Sequence, residues 1–163
     1  MSKKFFNEKA VDWDSDTEHS SQIISDVISE LPNYKNPNIL DVGCGTGILF
    51  EFLQRKYSNS LHITAIDYAK KMIAKAKQKY SSYSNISYIV DDVYEHKFPD
   101  SFFDIVICYS VFPHLFNKKK IISKFYNLLK NGGFLLIFHS ESREAINSLH
   151  KEIGGVVEHD YLP

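Results

Sequence analysis

The sequence predicts an α/β protein, a three-layer α/β/α sandwich with a mostly parallel sheet. Strand-like and helix-like segments alternate along the chain, which is typical of a parallel sheet. The chain has 163 residues, about the length of one domain, and no repeat or linker divides it. We therefore expect a single domain over residues 1–163, with an N-terminal segment and helix at 1–35, a core at 36–140 and a helix and tail at 141–163.

Five short apolar segments predict the strands of this sheet. They span residues 38–42, 61–67, 86–90, 102–108 and 133–138. The fourth contains Ile105-Val106-Ile107, a run that indicates burial on both faces. Parallel strands need right-handed crossovers, and ligands bind beyond the carboxyl ends of such strands.

Helices are predicted between the strands, because apolar residues there recur every three or four positions. The first helix starts at Ser20 or Ser21 and is stopped by Pro32. Four more carry apolar faces within residues 48–53, 69–80, 121–129 and 145–153. The helix at 121–129 is expected to end at Asn131-Gly132-Gly133, where glycine releases the backbone from helical geometry.

The composition limits the partners of the chain. With 19 Lys plus Arg against 20 Asp plus Glu the formal net charge is −1, so a nucleic-acid partner is not expected, because phosphate binding normally needs a basic surplus. No apolar segment approaches the ~20 residues of a membrane span, and the two cysteines are too few for a disulfide scaffold. We expect a cytoplasmic protein with free thiols and no membrane partner.

A glycine-rich turn follows the first predicted strand, in the segment Asp41-Val42-Gly43-Cys44-Gly45-Thr46-Gly47. Alternating glycines let the backbone approach a ligand closely, and the helix behind them directs free N–H groups toward it. Ile48 replaces the third glycine of the dinucleotide fingerprint, which counts against a nicotinamide or flavin site. Asp67 ends the second strand, where it can accept hydrogen bonds from both hydroxyls of a ribose. The alternative for the glycine-rich segment is a tight turn with a purely structural role.

Three segments carry a resemblance to a known family. They are Ile39-Leu40-Asp41-Val42-Gly43-Cys44-Gly45-Thr46-Gly47, Phe103-Asp104-Ile105-Val106-Ile107-Cys108-Tyr109-Ser110-Val111-Phe112-Pro113-His114-Leu115 and Leu128-Leu129-Lys130-Asn131-Gly132-Gly133. In order and spacing they resemble the motifs of class I S-adenosylmethionine-dependent methyltransferases, over residues 8–140. The resemblance implies a Rossmann-like fold with strand order 3-2-1-4-5, lacking the family's final strand pair. It also implies S-adenosylmethionine as cofactor, S-adenosylhomocysteine as its product and methyl transfer to a small-molecule acceptor.

The resemblance implies roles for individual residues around that cofactor. The pocket for the methionine part would be shaped by the turn residues Asp41, Gly43 and Gly45, with Cys44 and Gly47. Asp67 would bind the ribose hydroxyls, Tyr68 and Met72 would border the adenine, and Asp92 would contact the adenine amino group, with Val93 alongside. Beneath the transferable methyl would lie Cys108 and Tyr109, and Trp13 would close over the cofactor. The alternatives are a cap of the turn for Asp41, a solvated strand end for Asp67, a small filler for Cys44 and a cover of the core for Trp13. Of the adjacent acids Asp91 and Asp92, one must point elsewhere.

Tyr109 and His114 are the catalytic candidates. His114 follows the fourth strand at the ligand edge of the sheet, and histidine can supply the base that an acceptor of high pKa needs. Pro113 stands where the family commonly has the first of two histidines, so the alternative for His114 is a structural remnant.

No metal site is predicted, although one set of side chains could form one. His139, His150 and His159, with Cys108 and His114, would lie near one edge of the sheet, and zinc accepts such ligands. The histidine spacings of eleven and nine match no compact ligand motif, which favours scattered surface histidines.

The fifth strand would lie at an open edge of the sheet, and so apolar an edge invites pairing with another chain. We expect either a homodimer that covers this edge or a sequence shorter than the whole protein. The competing hypothesis is a non-catalytic module of the same fold that binds S-adenosylmethionine, S-adenosylhomocysteine or a metal. A nucleotide-binding oxidoreductase, weakened by Ile48, comes third, and a protein acceptor stays open.

Overall fold

A computed structural model describes residues 3–16 and 20–153. The elements follow one another as α1 (Lys3–Lys9), α2 (Trp13–Asp16), α3 (Ser21–Ser29), β1 (Asn38–Val42), α4 (Phe50–Tyr57), β2 (His62–Asp67), α5 (Lys70–Lys79), β3 (Ile86–Val90), β4 (Phe103–Tyr109), α6 (Lys118–Leu128), β5 (Leu129–Phe138) and α7 (Arg143–Ile153). Two short 3₁₀ helices, Ser58–Ser60 and Phe112–His114, complete the described elements.

The five strands form one parallel sheet in the order β3-β2-β1-β4-β5. This confirms the fold class and the strand order that the resemblance implied. β1 is central, and Asp41 near its end lies between Ala65 of β2 and Ile107 of β4. The carboxyl ends of β1, β2 and β4 therefore meet at one edge, where the connecting turns leave the sheet.

Buried apolar side chains fill both faces of the sheet, because side chains alternate along each strand. One face packs Ile39, Ile63 and Ile105 against α3, α4 and α5. The other packs Leu40 and Val106 against α6, whose Ile121, Phe125 and Leu128 are buried. The two clusters make the three layers that the alternating pattern predicted.

Local signals explain where several helices start and stop. Ser20 caps α3, since its Oγ accepts a hydrogen bond of 3.3 Å from the Ile23 N–H. Asn117 caps α6 in the same way, accepting from the Lys120 N–H at 3.0 Å. α3 ends at Ser29, before the Pro32 that was expected to stop it.

The sequence interpretation is wrong at the start of β5. α6 ends at Leu128, and Leu129 is already extended, with φ −75° and ψ 139°, so Asn131-Gly132-Gly133 does not end the helix. β5 pairs with β4 at Leu129 and again from Phe134 onward, with a register shift between. Gly132, at φ +77°, lies in this irregular stretch.

The two ends of the described chain add further differences. Residues 3–16, which gave no helical signal, contain α1 and α2. β5 lies at the sheet edge as expected, and Phe134 is 42% exposed there. None of the helices within residues 3–16 and 20–153 combines the length and the hydropathy that crossing a bilayer requires.

Candidate functional site

A cavity of about 260 Å³ opens at the carboxyl ends of β1, β2 and β4. Twelve residues singled out from the sequence line it: Trp13, Asp41, Gly43, Cys44, Gly45, Asp67, Tyr68, Met72, Asp92, Val93, Tyr109 and His114. Because strands, turn and helices each contribute to this wall, the fold itself brings distant parts of the sequence together.

The glycine turn is fixed to β2 by main-chain hydrogen bonds. Gly43 N–H and Cys44 N–H both donate to the Ile66 carbonyl, at 2.8 and 3.1 Å. Gly45 has φ +53°, a left-handed conformation that glycine adopts readily. A Cβ added at Gly45 would find only the Trp13 Nε1, 4.0 Å away, so this part of the turn faces open space.

Asp67 joins the turn to the start of α5. Its Oδ2 accepts from the Gly45 N–H at 3.0 Å and its Oδ1 from the Ala69 N–H at 2.8 Å. Burial raises the pKa of Asp67, and the hydrogen bonds from Ala69 and Gly45 oppose that rise. Each carboxylate oxygen has a second acceptor site. The side chain, only 8% exposed, is thus held rigidly at the cavity wall with acceptor capacity to spare.

Asp41 is the most deeply buried acid of the cavity, at 2% exposure. Its Oδ2 has no hydrogen-bond partner among the described residues. Burial, and secondarily the charge of Asp67, raise the pKa of Asp41 to about 7. A buried acceptor without a partner is costly, so this oxygen marks a place where a hydrogen-bond donor or a cation would be stabilised.

The acids after β3 have different surroundings. Both carboxylate oxygens of Asp91 are engaged, Oδ1 by the Asp92 N–H and Oδ2 by His96 Nδ1, each at 2.8 Å. Asp92 accepts at Oδ1 from the Tyr94 N–H. The hydrogen bond from His96 leads the causes that lower the pKa of Asp91. Of the two, Asp92 is therefore the acid with more capacity for a ligand.

The N-terminal strap, residues 3–16, covers one side of the cavity. Its Phe6 contacts the rings of Trp13, Tyr68 and His114 at centroid distances of 5.7, 5.9 and 5.9 Å. Asp14 accepts a hydrogen bond of 2.5 Å from the Thr46 hydroxyl of the glycine turn. The strap thus packs on the same turn that lines the cavity floor.

One main-chain N–H and two side chains of α5 hold the strap along its length. The Lys71 N–H donates to Asn7 Oδ1, Lys75 Nζ to the Val11 carbonyl and Lys79 Nζ to Asp14 Oδ2. Burial would raise the pKa of Asp14, but the hydrogen bond from Thr46 and the charges of Lys79 and Lys75 lower it. Asp14 therefore stays ionised and keeps both attachments at neutral pH.

The end of β4 forms a further part of the cavity wall. Tyr109 is buried against Phe138, with ring centroids 4.7 Å apart. Burial raises the pKa of Tyr109, whereas its hydrogen bonds with Ser140 and Ser110 act to lower it. Ser110 has φ +53°, a rare conformation for a residue with a side chain. The 3₁₀ helix that follows brings His114 to the cavity.

Two residues expected at the cofactor do not reach the cavity. Cys108 is fully buried in the core between the sheet and α6, so its side chain packs rather than contacts a ligand. Gly47 is also absent from the described lining; a Cβ there would lie 2.5 Å from Phe50 and 2.9 Å from Tyr80, so glycine is needed for packing. Burial raises the pKa of the Cys44 thiol, which fits its interpretation as a small filler.

The histidine set is not assembled in the described part of the chain. Across residues 3–16 and 20–153, no three His, Cys, Asp or Glu side chains come together as metal ligands would. His139 follows β5, whereas His159 and the side chain of His150 lie outside the described residues.

Sequence reasoning missed several residues that line the cavity. Phe6 gave no signal, since it lies in a polar segment without apolar periodicity. Thr46 stands inside the glycine motif and was passed over, although its hydroxyl holds the strap. Ser110, Val111 and Phe116 follow β4, where the motif was read only for its histidine and tyrosine.

Comparison with known proteins adds a family to this geometry. The sequence model of the methyltransferase domain matches residues 40–137. The chain belongs to the methyltransferase-domain family. It is 32% identical over 122 residues to malonyl-[acyl-carrier protein] O-methyltransferase 2 of Ilyobacter polytropus, a match that covers 71% of this chain and 46% of that protein. Malonyl-[acyl-carrier protein] O-methyltransferase of Bacillus anthracis is 30% identical over 91% of this chain and 55% of that protein.

A solved structure confirms the fold of this methyltransferase domain. The S-adenosylmethionine-dependent methyltransferase of Aquifex aeolicus has a TM-score of 0.66 at 18% identity, over 80% of this chain and 78% of that chain. The chain spans about half the length of the curated relatives it matches. The family match confirms the predicted methyltransferase family, and the solved structure confirms its fold. The oxidoreductase alternative is set aside.

Proposed function

We propose that this methyltransferase domain transfers the methyl group of S-adenosylmethionine to a small-molecule acceptor. The observation that carries the proposal is the cavity that the glycine turn and Asp67 line together, at the ligand edge of the sheet. When bound, the cofactor supplies a methyl group activated by a sulfonium, which an acceptor takes by in-line displacement. The protein must then mainly align the reactants, a contribution on the order of 7–11 kcal/mol.

Asp67 is the proposed ligand of the ribose hydroxyls. Its two oxygens are oriented by the Gly45 and Ala69 N–H groups, and their remaining acceptor sites suit two neighbouring hydroxyls. Its burial strengthens such hydrogen bonds, because water competes less for the carboxylate.

The methionine part of the cofactor is proposed to lie along the turn of Gly43, Cys44 and Gly45. The buried Oδ2 of Asp41 supports this placement, since among the described lining residues it is the buried side-chain oxygen that has no hydrogen-bond partner. A cationic group placed there would satisfy Asp41 and offset the repulsion between Asp41 and Asp67.

The adenine is proposed to lie between the ends of β2 and β3. Asp92 would contact its amino group, while Val93, Tyr68 and Met72 provide apolar or aromatic walls for the ring. Trp13 of the strap would close this region, which is supported by its place in the cavity lining.

His114 is the proposed base and Tyr109 a positioning group for the acceptor. The raised pKa of Tyr109 keeps it a neutral phenol, which donates a hydrogen bond but does not take up a proton near pH 7. His114 lines the same cavity, and a neutral imidazole can accept a proton from the acceptor.

Calorimetry tests the binding half of the proposal. We expect S-adenosylmethionine and S-adenosylhomocysteine to bind, NAD not to bind, and Asp67→Ala to weaken binding about 10- to 100-fold, as loss of hydrogen bonds to a charged group predicts. Asp100→Ala is the matched control, an exposed acid that does not line the described cavity. Unchanged affinity in Asp67→Ala, with the fold intact by thermal unfolding, would contradict the proposal.

Labelled methyl transfer tests the catalytic half. Incubation with tritiated S-adenosylmethionine and a small-molecule extract should label low-molecular-weight products. Binding without label in any fraction would instead support the non-catalytic module.

We further propose a cytoplasmic protein without nucleic-acid or membrane partners, on the basis of its near-neutral charge. The β5 edge, with Phe134 exposed, supports pairing of two copies into a homodimer. Light scattering of purified chain distinguishes a dimer from a monomer.

A further inference from the structure

The cavity is strongly biased in charge. Four carboxyl groups line it, those of Asp41, Asp67, Asp91 and Asp92, and the part of the chain that the structure describes contributes no Lys or Arg to the lining. The cofactor would engage Asp41, Asp67 and Asp92, so the decisive feature for an anionic acceptor is the missing Lys or Arg partner in the described lining, because burying an unpaired charge is costly.

The lysines around the cavity that the structure describes are directed elsewhere. Lys118 follows the 3₁₀ helix of His114, but its Nζ donates to the carbonyls of Pro113 and Leu115. Lys75 and Lys79 of α5 donate to the strap itself.

Aromatic side chains supply the remaining surface at the acceptor side. Phe6 brings its ring against Trp13 and His114, while Tyr94 stacks on Phe116 at 4.3 Å. Phe116 is 76% exposed, so it stands at the rim rather than in the core. Aromatic faces attract cations and pack against apolar groups.

We propose that the acceptor is an apolar amine, bound as the ammonium among these aromatic rings and methylated on nitrogen. This inference rests on the methyl-transfer function proposed above. The described lining provides no Lys or Arg that would pair with a carboxylate or phosphate acceptor.

The transfer itself balances with groups in the cavity. The ammonium first gives its proton to His114. The nitrogen lone pair then forms the N–C bond while the C–S bond breaks, and the electron pair of that bond stays on sulfur. The products are a methylated ammonium, a neutral thioether and a protonated His114.

Matched ligands of opposite charge test the proposal. The chain is first saturated with S-adenosylhomocysteine. It is then titrated with an aromatic pair, phenethylamine and 3-phenylpropionate, and with an aliphatic pair, octylamine and octanoate. We expect each amine to bind at least tenfold more tightly than its carboxylate. In parallel, labelled methyl should reach the amines and not the carboxylates or a malonyl thioester.

Two exposed aromatic residues provide matched variants. Phe116→Leu should weaken amine binding three- to tenfold while S-adenosylhomocysteine binds as before. Tyr126 is 79% exposed and does not line the described cavity. Tyr126→Leu should therefore change neither the amine affinity nor the S-adenosylhomocysteine affinity.

The outcomes separate this inference from the function beneath it. The amine proposal alone would be overturned if the carboxylates or the malonyl thioester bound or reacted as well as the amines. It would also be overturned if the complex with S-adenosylhomocysteine bound neither amine. Failure of S-adenosylhomocysteine itself to bind would overturn the proposed function and this inference with it.

Discussion

The Thr46 hydroxyl donates a hydrogen bond of 2.5 Å to Asp14 Oδ1 and so ties the N-terminal strap to the glycine turn. Thr46 is buried at 2% exposure, whereas Asp14 also reaches Lys79 Nζ at 3.4 Å. The strap is thus joined directly to the loop that the cofactor would touch.

Thr46→Val should loosen the strap. The substitution keeps the shape and removes the donor, at a cost of about 1 kcal/mol for such a hydrogen bond. We expect S-adenosylhomocysteine to dissociate several times faster, followed by the fluorescence of Trp13, the single tryptophan of the chain. Thr46→Ser retains the hydroxyl and should behave as the parent; equal dissociation rates for all three proteins would show that this hydrogen bond does not hold the strap.

Asp41 should make the ligand-free protein less stable as pH rises. Its pKa of about 7 in the folded state exceeds that of an unfolded aspartate, so between about pH 4 and pH 7 the folded state holds a proton that the unfolded state has lost. At about 1.4 kcal/mol per pKa unit, the loss across this window is on the order of 4 kcal/mol.

Asp41→Asn should remove this dependence. Thermal unfolding at pH 5 and pH 8 should show a smaller decrease in the variant, and the variant should be the more stable protein at pH 8. The same substitution should weaken S-adenosylmethionine binding, because the buried charge facing the ligand is lost. A parent whose stability rises from pH 5 to pH 7 would refute the assignment.

Gly45→Ala should block the site more than it harms the fold. Alanine at φ +53° costs about 1–2 kcal/mol, and its methyl would project into the open space before Trp13. Gly132→Ala is a matched control, since Gly132 has φ +77° and a Cβ there meets nothing within 4 Å. Both variants should lose similar stability in thermal unfolding, but only Gly45→Ala should lose S-adenosylmethionine affinity by calorimetry. Equal affinities would mean that the turn does not contact the ligand.

His114→Ala should slow transfer without impairing cofactor binding. Loss of a general base typically costs about 100-fold or more in rate, while Asp67 and the glycine turn remain in place. The measurement is labelled methyl transfer to an amine, with the S-adenosylmethionine affinity taken on the same samples. His62→Ala is the control, because His62 lies at the start of β2 and contacts Ser87. A rate unchanged within twofold would leave His114 a structural remnant.

The sequence predicted the sheet and the floor of the site well, because these depend on local patterns. Strand β1 and the turn after it carry apolar runs and glycines, and Asp67 ends its strand where a ligand edge must be. The start of β5 was misplaced, since Leu129 already pairs with β4, and Asn131-Gly132-Gly133 lie in the register shift inside the strand instead of before it.

The strap could not be predicted from local pattern. α1 and α2 are held by contacts with distant residues, such as Asn7 with α5 and Asp14 with Thr46, which no spacing in the first 16 residues announces. Cys108 was assigned to the cofactor by its position in a motif, but alternation along β4 turns it to the α6 side, while Tyr109 faces the other cluster.

The anchors of the strap are spaced along α5 at Lys71, Lys75 and Lys79, one per helical turn. Contacts arranged in a row along a helix can be broken one after another, each at a small cost in free energy. The N-terminal strap can therefore detach from one end while the rest of it stays bound to α5. Release of the product would then need no unfolding of the sheet. The rate of turnover would depend on how many of these hydrogen bonds between α5 and the strap are broken at a time.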